Sequence, residues 1–461
     1  MKKNIILLRT LILLLVMALL TACSGPSQPS GGTQQPSKSE DPGEKTPTQK
    51  GPTELVYYSA GKLENEVTEI VKEFEKANNV KITGVCTTSE EFVQVVMVAI
   101  NGGQQIDVMD INGQDARAFA TKGLIQPLTD KVTYWDRFHE ASIKQYTFGD
   151  EIYGVPTGDA GGMVMYYNPS LFKKYDVKVP TNMQELAEAK EKFAEHGIAM
   201  FAHCGGTIYM WPSWYFMLFA QTSGGKPVER TIEILEGKAK FTDADSLEAM
   251  KILEKLGTEG YFQPGVNAAD RIAGEQVFIK EQTAMTYAGS WQLEGFRSGG
   301  MDEEKLDITV DLQFVDGAQV RNTGSVGSHA LTLYSKIKPE NTDLALKLID
   351  YLSSDEIIEY WYWGDYREEK SAPRALANKN AKVPEEVLMD PVFQKYAEKS
   401  TPVTDTWLDW YWPPEVTKAF QEQIQMVVGG QTSAEEAMAY IQSVLDELYA
   451  EGYDFHAVSA D

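Results

Sequence analysis

Between Glu54 and Val85 the sequence reads strand, helix, strand, and that rhythm restricts the fold more than any other feature. The first strand, Glu54 to Ser59, alternates around Leu55 and Tyr57. Val67, Ile70, Val71 and Phe74 then recur at i, i+3, i+4 and i+7, the spacing of one helix face. A second strand, Val80 to Val85, follows at once. This order implies a right-handed crossover and a parallel sheet. The chain has 461 residues, too many for one compact core, so an α/β architecture of two lobes is expected. Ligands bind beyond the carboxyl ends of such strands. The first loop there carries Lys62 and Glu64; a third strand, Gln105 to Ile111, runs into Asn112, Gln114 and Asp115. Turn chemistry and helix capping would account for the same polar residues.

Upstream, Lys2, Lys3 and Arg9 flank an apolar run that ends at Leu20, too short and too early for a stable membrane span. It leads into Leu20-Thr21-Ala22-Cys23, which resembles a bacterial lipobox and makes Cys23 the expected lipidated residue after a leader spanning 1–22. Residues 24–52 hold no aliphatic or aromatic side chain, so 23–52 reads as a disordered tether reaching roughly 30 Å. The formal charge of −25 repels phosphate backbones and argues against nucleic-acid binding and broad contact with an anionic membrane. Cys86 and Cys204 are not at metal-ligand spacing; one disulfide or two buried thiols both fit.

Further along, GEQVFIKEQTAMTYAGSWQLEGF at 274–296 predicts a strand over Ala284 to Tyr287 and a Gly-Ser-Trp turn opening a helix, with Ser290 as its N-cap. Trp291 at that corner offers a flat apolar face and one N–H donor, the pieces needed to stack a sugar ring. An ordinary core tryptophan would read the same way. A Gly-rich polar stretch from Thr157 through Asp159 to Gly162 joins two apolar strands and has the composition of a hinge. Thr181 with Gln184 predicts a capping box, as does Ser433 with Glu436 before the final helix.

Taken in order, Tyr57 to Phe74, DVMDINGQDARAFATKGLIQPLTD at 107–130, YGVPTGDAGGMVMYYNPSLF at 153–172, TAMTYAGSW at 283–291 and Gly324 to Leu352 carry a resemblance. The chain resembles the extracellular solute-binding proteins of ABC sugar importers, the class that includes maltose-binding protein. The resemblance implies a two-lobed periplasmic-binding-protein-like fold of class II, with three hinge crossings near 156–164, 324–332 and 366–376. The first lobe would comprise 53–160 and 328–370, the second 161–327 and 371–461. It implies capture of a carbohydrate by lobe closure, delivery to transmembrane permease subunits, a lipid-anchored monomer on the outer face of the membrane, no cofactor and no metal. Trp291 is the aromatic the family uses most often for stacking, with Trp410, Trp412, Trp211 and Trp214 as further candidates. Asp159, Glu64, Lys62, Asn112, Gln114 and Asp115 would bind hydroxyls around the ring. A cation such as a polyamine, or a peptide, would also suit an acidic cleft. A carbohydrate-active enzyme is the rival class, but the sequence has no Gly-x-Ser-x-Gly elbow, phosphate loop, His-Glu-x-x-His or Cys-x-x-Cys.

Overall fold

The computed structural model describes residues 51–326, 329–364, 375–396, 398, 404–405 and 407–453. The leader, Cys23 and nearly all of the tether therefore lie outside the described residues, as do Ser371 to Arg374 of the third expected crossing.

The opening strand–helix–strand forms as β1 (Thr53–Ala60), α1 (Glu64–Asn78) and β2 (Val80–Thr87), with β1 and β2 parallel from Thr53↔Val80 to Ala60↔Thr87. The predicted stripe of α1, Val67, Ile70, Val71 and Phe74, is buried. The helix α2 (Ser89–Asn101) leads to β3 (Val108–Asn112), which lies parallel to β1 on its other side. Next come α3 (Gly113–Thr121), β4 (Ile125–Gln126) and β5 (Val155–Pro156).

The chain then enters a second sheet through β6 (Asp159–Tyr167). There follow α4 (Met183–Ala194), β7 (Ala199–Ala202), α5 (Trp211–Thr222), α6 (Ala244–Thr258) and α7 (Arg271–Ile279). This part closes with β8 (Thr283–Gly289), β9 (Asp307–Thr309) and β10 (Asn322–Val326). It returns to the first sheet as β11 (His329–Tyr334), with α8 (Thr342–Leu352) and α9 (Asp355–Trp363) after it. The remainder comprises β12 (Ala375–Leu376), β13 (Thr404–Asp405), α10 (Pro414–Val428) and α11 (Ala434–Ala450).

Among the described residues two large sheets result, ordered β2-β1-β3-β11-β4 with β5 on β11, and β13-β10-β6-β8-β7 with β9 and β12 on β6, beside a two-stranded ribbon of Thr147–Phe148 with Glu151–Ile152. Strand alternation divides the core of each. Leu55 and Tyr57 pack with α1 and α8 on one face of the first sheet, while Tyr58 and Ala60 pack with α2 on the other. In the second sheet Met163 and Met165 join the largest core, and Val164 and Tyr166 face Phe278 and Phe296. Besides the pairing of β6 with β10 and β12, hydrogen bonds among the described residues join the passages between the sheets. The His329 carbonyl accepts from the N–H groups of Thr157 (2.9 Å) and Gly158 (3.2 Å), and the Gly158 carbonyl accepts from Ala377 N–H (3.1 Å).

Some local readings shift. Asn182, not Thr181, caps α4 and accepts from Glu185 N–H, because Thr181 is occupied with the Glu185 carboxylate. Ser433 and Glu436 form the expected box at α11. Leu376 and Val387, on the stretch assigned from sequence to the second lobe, pack with Ile358 and Trp363 of α9. They cover an apolar face of the first lobe that α9 alone would leave in water. Cys86 and Cys204 are free thiols, and burial pushes Cys204 up to about 12.

Candidate functional site

The carboxyl edge of the first sheet gathers the polar residues. β1 ends at Ala60, β3 ends at Asn112, and His329 at the start of β11 lies opposite Asn112. Asp110 is fully buried there and is held from three elements. It accepts from the Tyr57 hydroxyl (2.9 Å) and the Lys62 ammonium, and His329 Nδ1 stands 3.2 Å from its other oxygen. Lys62 also lies 3.7 Å over the Trp361 ring. The ammonium expected to reach a ligand is thus engaged inside the lobe with a buried carboxylate.

Asn112 uses both ends of its amide on Asp115: Oδ1 caps α3 by accepting Asp115 N–H (2.9 Å), and Nδ2 donates to the carboxylate (3.0 Å). Burial pushes Asp115 up to about 6, against the opposing pull of Asn112 and His329. Gln114 Nε2 donates to Thr417 Oγ1 (3.3 Å) on α10, joining the two lobes. Glu64 is exposed in the first turn of α1, where a carboxylate favours the helix N-terminus. Asp159 opens β6 with its backbone opposite Leu376; its side chain is outside the described set.

A run of aromatic rings bridges from the second lobe to this edge. β8 ends at Gly289, and Trp291 folds back over it so closely that a Cβ at Gly289 would stand 2.2 Å from the indole. Only glycine permits that approach. Trp291 pairs with Trp407 at 6.2 Å between centroids, tilted by 41°. Trp407 precedes a single 3-10 turn, Leu408–Trp410, in which Trp410 N–H donates to the Trp407 carbonyl (3.1 Å). The Trp410 ring rests on Gly113 of α3, 2.7 Å from where a Cβ would sit. Trp291, Trp407 and Trp410 all remain partly exposed. The sequence groups Trp407 with Trp410, Tyr411 and Trp412, but Trp407 was not among the expected ligand-binding residues. Its signal was the three-residue spacing from Trp410, which a 3-10 turn sets on one side. Ser290 does not cap a helix as expected; its hydroxyl accepts Gly162 N–H (3.4 Å) and ties the turn to β6.

The other tryptophan candidates are core residues. Trp211 and Trp214 are 0% exposed. The Trp214 ring meets Phe201 and Phe262 at 5.1 Å and Tyr287 at 5.3 Å, and its N–H donates to His203 Nδ1 (3.3 Å). Burial pushes His203 down to about 3, so the imidazole is neutral and can accept. Helix α5 is buried along nearly its whole length, as its all-round apolar sequence requires. Trp412 lies stacked on Phe420 at 4.1 Å and is 4% exposed. A separate groove of about 560 Å³, lined by Thr181, Asn182, Asp311 and Gln313 among others, carries none of the expected residues. Among the described residues no group of three His, Cys, Asp or Glu side chains is placed to hold a metal.

Asp409, between Trp407 and Trp410, is nine-tenths buried, and burial pushes its carboxyl up to about 7. A carboxyl whose folded pKa exceeds the unfolded value of roughly 4 is penalised in its ionised form. Its effect on stability is absent below that unfolded value and grows unfavourable as pH rises to about 7. Asp409→Asn is therefore expected to lose less stability than the wild type between about pH 5 and about pH 8. Thermal unfolding at both pH values checks this; parallel shifts in the two proteins would refute it.

The profile of the family described as bacterial extracellular solute-binding protein matches residues 69–367. The chain belongs to that family. Over 331 residues it is 22% identical to the galactooligosaccharide-binding protein of Bacillus subtilis, covering 71% of this chain and 74% of that one. It is 24% identical over 333 residues to the multiple sugar-binding protein of Streptococcus mutans, covering 69% and 77%. The solved structure of a chitin oligosaccharide binding protein superposes with a TM-score of 0.76 at 20% identity, over 87% of this chain and all of that one. The two structures share the two-lobed class II fold.

Proposed function

We propose that this solute-binding protein captures an oligosaccharide between its lobes and delivers it to the permease subunits of an ABC importer, from a lipid anchor on Cys23. The observation that carries the reading is the partly exposed run Trp291–Trp407–Trp410, ending on Gly113 beside the polar edge of the first sheet. Aromatic faces suit the C–H surfaces of sugar rings. Relatives named for galactooligosaccharide, multiple-sugar and chitin-oligosaccharide binding support the same class. In this reading a sugar stacked on the tryptophans touches both lobes only when they are closed, so it favours the closed state by the difference in contact. Capture and release complete the cycle, and no bond is made or broken.

Trp291→Ala is expected to weaken binding of the responding sugar by about 2 kcal/mol, roughly thirtyfold, with the fold retained. Calorimetric titration of the full chain with raffinose, galactooligosaccharides and chitin oligosaccharides measures it. A wild type that ignores all sugars but binds spermidine or a peptide would replace the ligand class. Unchanged sugar affinity in Trp291→Ala would remove the tryptophan from the site.

A further inference from the structure

Behind Trp291 lies a chain of hydrogen bonds that fixes the turn carrying it. Gln292 is 4% exposed and spans two partners: its Oε1 accepts Gly289 N–H (2.8 Å) and its Nε2 donates to Glu275 Oε1 (3.0 Å). Glu275, on α7, also accepts from Arg271 Nη1 (3.0 Å) one helical turn earlier. The Gly289 carbonyl is approached from the opposite side by the Tyr166 hydroxyl at 3.5 Å. Gly289, the residue against which the indole lies, is therefore held at both its N–H and its C=O.

We propose that Gln292 and Glu275 are positioning residues that set the angle of the Trp291 face. The inference rests on the reading of Trp291 as a stacking residue, yet its core can be tested without any sugar. The pair has a donor facing an acceptor, and exchanging the two side chains preserves that polarity in reverse. Gln292→Glu alone sets two carboxylates against each other; Glu275→Gln with Gln292→Glu again opposes a donor to an acceptor and leaves an oxygen for Gly289 N–H.

The experiment labels the full chain with 5-fluorotryptophan and assigns the Trp291 resonance as the one absent from Trp291→Phe. Gln292→Glu is expected to move or broaden the Trp291 and Trp407 resonances while those of Trp211 and Trp214 stay, and the exchanged pair is expected to restore them. In parallel, raffinose and galactooligosaccharide affinity should fall about tenfold in Gln292→Glu and recover on exchange. A Trp291 resonance unmoved by Gln292→Glu would overturn the proposal, as would displacement of all the resonances with no recovery in the exchanged pair. If Gln292→Glu proves unfolded, Glu275→Leu alone carries the test, because it removes the acceptor for Gln292 Nε2: a Trp291 resonance that stays in place there overturns the proposal. Resonance changes that recover, in a protein that binds no sugar, would uphold the positioning role and refute the sugar reading instead.

Discussion

Trp214→Ala is expected to lower the stability of the second lobe by about 3–5 kcal/mol, the range for emptying a buried aromatic site. The ring is 0% exposed and edge-on to Phe201, Phe262 and Tyr287, so truncation leaves a cavity walled by rigid neighbours that cannot collapse into it. It also strips His203 Nδ1 of its donor, an orphaned acceptor costing roughly 1–3 kcal/mol in such a place. Trp214→Phe keeps one ring's packing but loses the donor, and should fall between. Urea unfolding followed by far-UV circular dichroism measures both. A Trp214→Ala protein as stable as the wild type, but deaf to sugar, would return the residue to the cleft.

The second large effect is expected at Asp110. Alanine there leaves the Lys62 ammonium, the Tyr57 hydroxyl and His329 facing a buried gap, and removal of one partner from a buried ion pair costs about 3–5 kcal/mol. The damage should reach the passages between the sheets, because the His329 carbonyl holds Thr157 and Gly158. Asp110→Asn keeps an acceptor for Tyr57 and should cost less. Lys62→Met added to Asp110→Ala should recover part of the loss, since the cation that faced Asp110 goes too. Chemical denaturation of these proteins and of Lys62→Met alone tests this; additive losses in the double variant would show that the two side chains do not act as a pair.

The architecture was legible because its signals are local and repeated. The stripe Val67, Ile70, Val71, Phe74 follows from helical periodicity and the box Ser433 with Glu436 from local spacing, neither of which the fold has reason to overrule. The site was harder to read because exposure is decided by distant partners. Trp211 and Trp410 are alike as residues. One lies on a helix enclosed by the second lobe, and the other meets Gly113, which is almost three hundred residues away and has no side chain to advertise the contact. Lys62 and Asn112 sit at the strand ends where ligand contacts were expected, but their hydrogen bonds are directed at Asp110 and Asp115. Nothing in sequence spacing distinguishes a polar group offered outward from one turned to its neighbour.

The place of β11 in the first sheet has a consequence for how the chain acquires its shape. It lies between β3 and β4, and Thr332 bonds to the Met109 carbonyl across 223 positions. While a ribosome delivers the chain from its amino end, β1, β2 and β3 emerge long before the strand that closes their edge. Contacts so far apart fold slowly, because the loop must be closed before any pairing offsets its entropy. A nascent chain cut short of His329 would keep an open β3 edge, the kind of surface that chaperones cover and other chains adhere to. The first lobe is thus the earliest to be made and among the last to be finished.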